Sequence, residues 1–342
     1  MFKGRILLLL LILSMALPYC SANSISKQIG QWRVEVGPPG NEFYDPSADE
    51  KIDEDSSDPS EVNEPAIDQK EFEKLLKEEL EPYRERFNFE NQIGRLARGP
   101  RNKDGSFRYV VIGDSRSNWE LWPNIVKHID SLDPKPAFII HVGDVVKHGY
   151  PQEYRDYYIQ ALLETDIPFF VAIGNHDYGY DGKAWEYRYL FGEKALNYYF
   201  DYGRARYIFI DNVTNVRPYE ETLEWLDKIL ASTPKNFRKY VCVHKPPKNI
   251  EKWSYHAWDS KRSKMFTDLM EKHNVSEVYM GHIHAYSTAC YNGINYTVSG
   301  GGGATLHGRF GPLGSAHQYI ICDVGADGSV KQQIVRFYKN SN

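Results

Sequence analysis

Three apolar runs in the first half of the chain end in the same way. "FRYVVIGD" (107–114), "AFIIHVGD" (137–144) and "PFFVAIGNHD" (168–177) each close on a glycine followed by Asp or Asn. Between them, "NWELWPNIVKHIDSL" and "PQEYRDYYIQALLE" read as helices, with Pro123 placing the start of the first one late. Strand, helix, strand, helix, strand at this spacing confines the chain to a mostly parallel sheet with crossover helices. Ligands of such sheets lie beyond the carboxyl ends of the strands. The glycine-plus-polar tips therefore fall where a site is expected.

The second half alternates differently. "ALNYYFDYG" and "RARYIFID" read as a hairpin across Tyr202-Gly203, and "YEETLEWLDKILAS" as a helix. "KYVCVHKPP" is a strand that stops at His244. "SKMFTDLMEKHN" is a helix, and "VSEVYMGHIH" a strand ending in His282 and His284. "STACYNGINYTVSGGGG" carries an Asn-Gly hairpin signal, and "HQYIICDVGADGSVKQQIVRFY" closes with another hairpin. No internal repeat is visible.

At 342 residues, 42% of them hydrophobic, the chain is long enough for one large domain plus extras. Residues 1–22 stand apart: Lys3 and Arg5 precede "ILLLLLILSMALPYCSA", which reads as a secretory signal cleaved after Ala22. The apolar run is short for a bilayer span. A lipid anchor on Cys20 is the rival reading, and either one predicts an exported protein, periplasmic or secreted. Residues 23–68 read as an acidic linker, disordered because Asp, Glu, Pro and Ser crowd residues 37–66. Residues 69–100 read as a helical extension, with Phe72, Leu75, Leu76 and Leu80 at helical spacing, and residues 101–342 as the main domain. Cys242, Cys290 and Cys322 form an odd set without zinc-site spacing, in which Cys290 and Cys322 are one possible pair. A formal charge of −5 gives no reason to expect a nucleic-acid scaffold or a polybasic membrane patch.

The strand tips collect Asp114, Asp144, Asn175, His176, His244, His282 and His284. Oxygen donors mixed with imidazole suit Mn, Fe or Zn. One carboxylate can bridge two ions about 3.5–4 Å apart, the two-metal clamp of phosphoryl chemistry. In order along the chain, "GDSR", "GDVVKHG", "GNHD", "VHKPP" and "GHIH" resemble the motif set of the calcineurin-like metallophosphoesterase superfamily, over about residues 107–337. The resemblance implies an α/β fold, a four-layer α/β/β/α sandwich of two mixed β-sheets flanked by helices. It also implies two divalent metal ions at the strand ends. By position, Asp114 would bind the first metal and Asp144 bridge both. Asn175, His244 and His282 would bind the second metal, and His284 would return to the first. His176 would contact substrate phosphate or protonate the leaving group, with Asp177 orienting it.

The first motif departs from the family's usual Asp-x-His, reading Asp114-Ser115-Arg116. A guanidinium has no lone pair to donate, so Arg116 is no ligand. Three arrangements are open. Water fills the gap at the first metal; or the first site is weak and one ion suffices; or Arg116 turns outward as a bidentate phosphate clamp. The reading adopted combines the first and third, which makes Arg116 a catalytic and substrate-binding residue alongside His176 and Asn175. Aromatic loops, including Trp253, Tyr255, His256 and Trp258, border the expected cleft, with His307 and Arg309 in a glycine-rich loop nearby. The expected function is hydrolysis of small phosphomonoesters or phosphodiesters through a metal-bound hydroxide at a dinuclear centre. The alternative is a decayed member of the fold that binds a phosphorylated ligand or a protein partner. The oligomeric state is not legible.

Overall fold

Alternation along the central strands sorts the core into three apolar seams. In β3 (Phe107–Ile112), Val110 and Ile112 point one way and Tyr109 and Val111 the other. Strand β8 (Arg238–Cys242) and the residue after it do the same with Val241 and Val243 against Tyr240 and Cys242. A strand's side-chain period of two, with both faces apolar, requires cover on each face. The computed structural model, which describes residues 25–40, 44–45, 68–99, 102–179 and 182–340, supplies that cover as two mixed sheets packed face to face between helices.

The first sheet has seven strands in the order β1-β2-β13-β12-β3-β4-β5. Its parallel part is β3, β4 (Phe138–His141) and β5 (Phe169–Val171). The antiparallel part adds β12 (His317–Val324), β13 (Val330–Lys339), β2 (Trp32–Gly37) and β1 (Ile25–Ile29). The second sheet has six strands in the order β10-β11-β9-β8-β7-β6. In it β7 (Ala205–Phe209), β8, β9 (Glu277–Met280) and β11 (Ile294–Ser299) run parallel, and β6 (Tyr198–Tyr202) and β10 (Tyr286–Tyr291) pair antiparallel at the edges.

Helices cover the outer faces. Trp122, Ile125, Val126 and Ile129 of the helix Leu121–Asp130 pack on the first sheet, joined by Leu76, Leu80 and Phe87 of the helix Gln69–Phe87. Leu223, Leu226 and Leu230 of the helix Tyr219–Ser232 and Phe266 and Met270 of the helix Ser260–Lys272 cover the second. Between the sheets Tyr207, Tyr240 and Tyr279 stack face to face across neighbouring strands, with ring centroids 5.0 and 5.9 Å apart.

One expectation needs correction. Residues 25–37, assigned to a disordered linker on composition, form the β1–β2 hairpin, and β2 pairs with β13 from Ile334↔Gly37 to Lys339↔Trp32. The reason is period two: Trp32 and Val34 both turn into the core, and an average over an acidic window hides two such residues. The most acidic part of that linker, residues 46–67, and the expected signal of residues 1–22 with Cys20 lie outside the described residues. No described helix is long and apolar enough to cross a membrane. Cys242, Cys290 and Cys322 are all free, with Cys290 exposed and the other two buried, so the Cys290–Cys322 pair does not form.

Candidate metal centre

The parallel strands deliver their tips to one rim. There the backbone leaves the strand abruptly: Asp114, Asp144 and His282 all adopt positive φ (55°, 57° and 68°). Non-glycine residues pay of order 1–3 kcal/mol for such conformations, which persist where the surroundings impose them. Gly143, at φ 96°, shows how tight the rim is: a Cβ there would stand 2.6 Å from His244 Nδ1 and 2.8 Å from the Cα of Gly174. The glycine loop after β11 also passes close. The Gly302 amide donates to the Gly113 carbonyl (2.9 Å) and that of Ala304 to the Asp114 carbonyl (3.0 Å).

The side chains converge. Asp114, Asp144 and His244 are buried, with donor atoms all within 4.8 Å of one another. His244 Nε2 lies 3.3 Å from Asp144 Oδ1 and 3.1 Å from Asn175 Oδ1. The rings of His244 and His282 are 5.2 Å apart, and the His282 amide donates to both Asp114 oxygens at 3.0 Å. His284 Nε2 lies 3.5 Å from Asp114 Oδ1, and His176 Nε2 4.0 Å from Asp144 Oδ2.

Backbone carbonyls aim the imidazoles. Nδ1 meets the carbonyl of Val142 in His244 (2.8 Å), of Thr305 in His284 (2.7 Å) and of Lys147 in His176 (2.6 Å). Each Nδ1–H therefore donates outward, and each Nε2 turns its lone pair to the rim. This is the orientation that metal-binding histidines need. Burial holds His176, His282 and His284 below the ordinary imidazole pKa, which keeps them in the neutral, ligating form. The two carboxyls diverge. Burial opposes ionisation of Asp144, but His244, His176 and Arg116 outweigh it and hold that carboxyl well below the usual range. Burial and the charge of Asp144 push Asp114 up. A cation between them reverses that second effect.

Two expected roles change. Asp177 does not orient His176. Its Oδ2 accepts the amides of Gly174 (2.7 Å) and Asp144 (2.9 Å), and its Oδ1 those of Val145 (2.8 Å) and Val146 (3.3 Å). Its carboxylate is committed to backbone, and the Lys147 carbonyl fixes His176 instead. Arg116 does not turn outward. Its side chain is buried, with Nε 3.4 Å from Asp144 Oδ2 and Nη2 3.5 Å from His284 Nε2.

Three contributors escaped sequence reasoning or were only noted beside the cleft. Asn212 accepts the amides of His244 and Lys245 (3.1 and 3.2 Å) and donates to the Lys245 carbonyl (2.8 Å), so it shapes the turn that presents His244. The signal was available: β7 too ends in polar residues, Asp211 and Asn212. His256 and His307 complete a ring of imidazoles. His256 is 5.7 Å from His282, His307 is 4.9 Å from His284, and the two are 5.2 Å apart between centroids.

The donor set of Asp144, Asn175, His244 and His282 fits a divalent cation of the Mn, Fe or Zn kind: carboxylate, amide oxygen and neutral imidazole, with the Nε2 of His244 oriented toward the rim. The set around Asp114 fits less well, because Arg116 stands against Asp144 and His284 there.

Two mixed sheets between helices, with carboxylates and imidazoles gathered at the strand ends, define a metallophosphoesterase-type architecture. The family model of calcineurin-like phosphoesterases matches residues 107–286, just over half of the chain, and the chain belongs to that family. A protein of Arcobacter nitrofigilis described as a probable glycerophosphodiester phosphodiesterase is 30% identical over 180 residues, covering 50% of this chain and 65% of that one. A protein of Arabidopsis thaliana described as a probable inactive purple acid phosphatase is 23% identical over 209 residues, covering 48% of this chain and 32% of that one. The purple acid phosphatase of yellow lupin seeds shares the fold with a TM-score of 0.55 at 19% identity, over 67% of this chain and 53% of that one. The chain spans less than two thirds of the length of each of these relatives.

Proposed function

We propose that this protein is a metal-dependent phosphoesterase that hydrolyses small phosphomonoesters or phosphodiesters. The observation that carries the reading is the convergence of Asp144, Asn175 and His244, with His282 beside them, at one strand-end rim. A divalent cation held there supplies Lewis acidity for a phosphoryl oxygen and acidifies a water molecule. The chain's own residues do the rest. Asp144 and Asn175 present oxygen donors, and His244 is locked by the Val142 carbonyl with Nε2 inward. His176 offers Nε2 to the same space, and an anionic phosphate beside it favours the imidazolium, which bonds phosphate oxygen and hands a proton to the leaving group. Arg116 adds a fixed positive charge that draws anionic substrate. Asp177 holds the turn on which Asp144 and Asn175 sit.

The name of the Arcobacter relative supports glycerophosphodiesters as the first substrates to try. The cationic start and apolar run of residues 1–22 support export. A net charge of −5 supports a small ester over a long nucleic acid, whose binding leans on phosphate neutralisation.

A second reading, a decayed member that binds a phosphorylated ligand or a protein partner without turnover, is favoured by one observation: an arginine stands where the family pattern has a histidine ligand. Chromogenic mono- and diesters assayed with Mn2+, Fe2+ or Zn2+ separate the two. The enzyme reading expects turnover that chelation abolishes. His282→Ala should cost at least the roughly 10–100-fold seen when a mere supporting partner of a metal ligand is lost. Saturable phosphate binding with no turnover under any metal would leave the second reading standing.

A further inference from the structure

Arg116 follows β3 two residues after Asp114, and its side chain runs inward until it is 1% exposed. Its Nε lies 3.4 Å from Asp144 Oδ2 and its Nη2 lies 3.5 Å from His284 Nε2. His284 Nε2 is in turn 3.5 Å from Asp114 Oδ1. The guanidinium therefore lies against two of the three groups that a cation beside Asp114 would need. The oxygens of Asp144 are divided between two sides: Oδ1 faces His244 at 3.3 Å and Oδ2 faces Arg116.

Charge and reach both oppose a second metal. A guanidinium stays protonated and has no lone pair, so it cannot join a coordination sphere. A divalent ion bonded to His284 Nε2 at about 2 Å would stand within about 5.5 Å of Arg116 Nη2, the sum of that bond and the 3.5 Å separation. Like charges at that distance in a buried site are poorly screened.

We propose that the Arg116 guanidinium takes the place of one of the two cations that the family pattern accommodates. The chain then binds a single divalent ion, on the side of Asp144 that faces Asn175, His244 and His282. His284, with Asp114 behind it, faces Arg116 instead of a second metal. The inference rests on the metal-dependent reading above and sharpens it. The positive charge that a second ion would lend to a bound phosphate is covalent here, and no chelator removes it.

Metal stoichiometry tests this without reference to turnover. The full chain, stripped with chelator and reloaded with Mn2+, should retain one equivalent per chain by elemental analysis, with the electron-spin-resonance pattern of an isolated ion. Arg116→His restores an imidazole and removes the cation, and should take up two equivalents with a spin-coupled signal. Arg116→Lys keeps a cation and should stay at one. Two tightly held, coupled ions in the unaltered chain would overturn the inference and leave the phosphoesterase reading intact. One ion in both the unaltered chain and Arg116→His would show that Arg116 is not what limits occupancy, and would overturn the assignment. No retained Mn2+, Fe2+ or Zn2+ and no turnover would overturn both readings. If Arg116→His does not fold, the count and the spectrum of the unaltered chain decide alone.

Discussion

Four backbone amides, those of Gly174, Asp144, Val145 and Val146, converge on the two oxygens of Asp177. That carboxylate is 0% exposed, and it ties the turn after β4 to the turn after β5. In the string "GNHD" it sits beside His176, which makes it look like that histidine's partner. The two side chains diverge in this turn, however: the histidine is held at the rim by the Lys147 carbonyl while the aspartate bonds the amides beneath it. Removing the acceptor leaves several buried donors unsatisfied at once, and each hydrogen bond to a charged group is worth about 1.5–3 kcal/mol. Asp177→Ala should therefore destabilise the fold by roughly 3–5 kcal/mol, read as a fall in the urea midpoint. A loss under about 1 kcal/mol would mean that the two turns hold their shape without it.

Strand β2 carries the corresponding argument for elements. Trp32 and Val34 are 4% and 1% exposed, and the Trp32 ring meets His317 edge-on at 5.8 Å. Trp32→Ala should cost about 3–5 kcal/mol, with the urea midpoint lowered and the m-value unchanged. A change near zero would make the hairpin a loosely held addition to β13. This hairpin was not legible, because its five apolar residues of thirteen are scattered among polar and charged ones and set beside an acidic stretch. Strands β3, β4, β5, β8 and β9 were legible for the opposite reason: buried parallel strands are continuous apolar runs, and theirs stop at polar tips. The candidate site was legible to the same depth. The residue types Asp114, Asp144, Asn175, His244, His282 and His284 could be named from the tips, because strand ends in a parallel sheet share one rim. Which way Arg116 runs, what holds His176 and what Asn212 braces depend on distances between segments far apart in the chain, and no local pattern encodes those.

The whole molecule stores neutral histidines away from the site, and that gives its stability a direction with pH. His128 of the helix Leu121–Asp130 bonds the Tyr319 hydroxyl of β12 through Nδ1 (2.6 Å), and burial, aided by Lys27, lowers its pKa to about 4. His317 packs on Trp32 and bonds the Gly301 carbonyl, and burial lowers it to about 4 as well. In the unfolded chain both titrate near 6.5. Between these values the unfolded state binds more protons, so folding stability is full above about pH 6.5 and declines as pH falls toward 4. At pH 5 each histidine should have withdrawn about 2 kcal/mol, so the pair removes a large share of the 5–15 kcal/mol typical of a folded domain. Buried Asp211 and Glu277 act in the other direction: burial raises their pKa, so their contribution weakens as pH rises through the carboxylate range. Comparing variants separates the two effects. Gln at position 128 can still bond the Tyr319 hydroxyl but cannot take up a proton, so His128→Gln should show a flatter acid limb than the unaltered chain while Asp211 and Glu277 contribute equally to both. Urea midpoints measured from pH 7 down to about 5 test this, and parallel curves for the two proteins would remove His128 from the account.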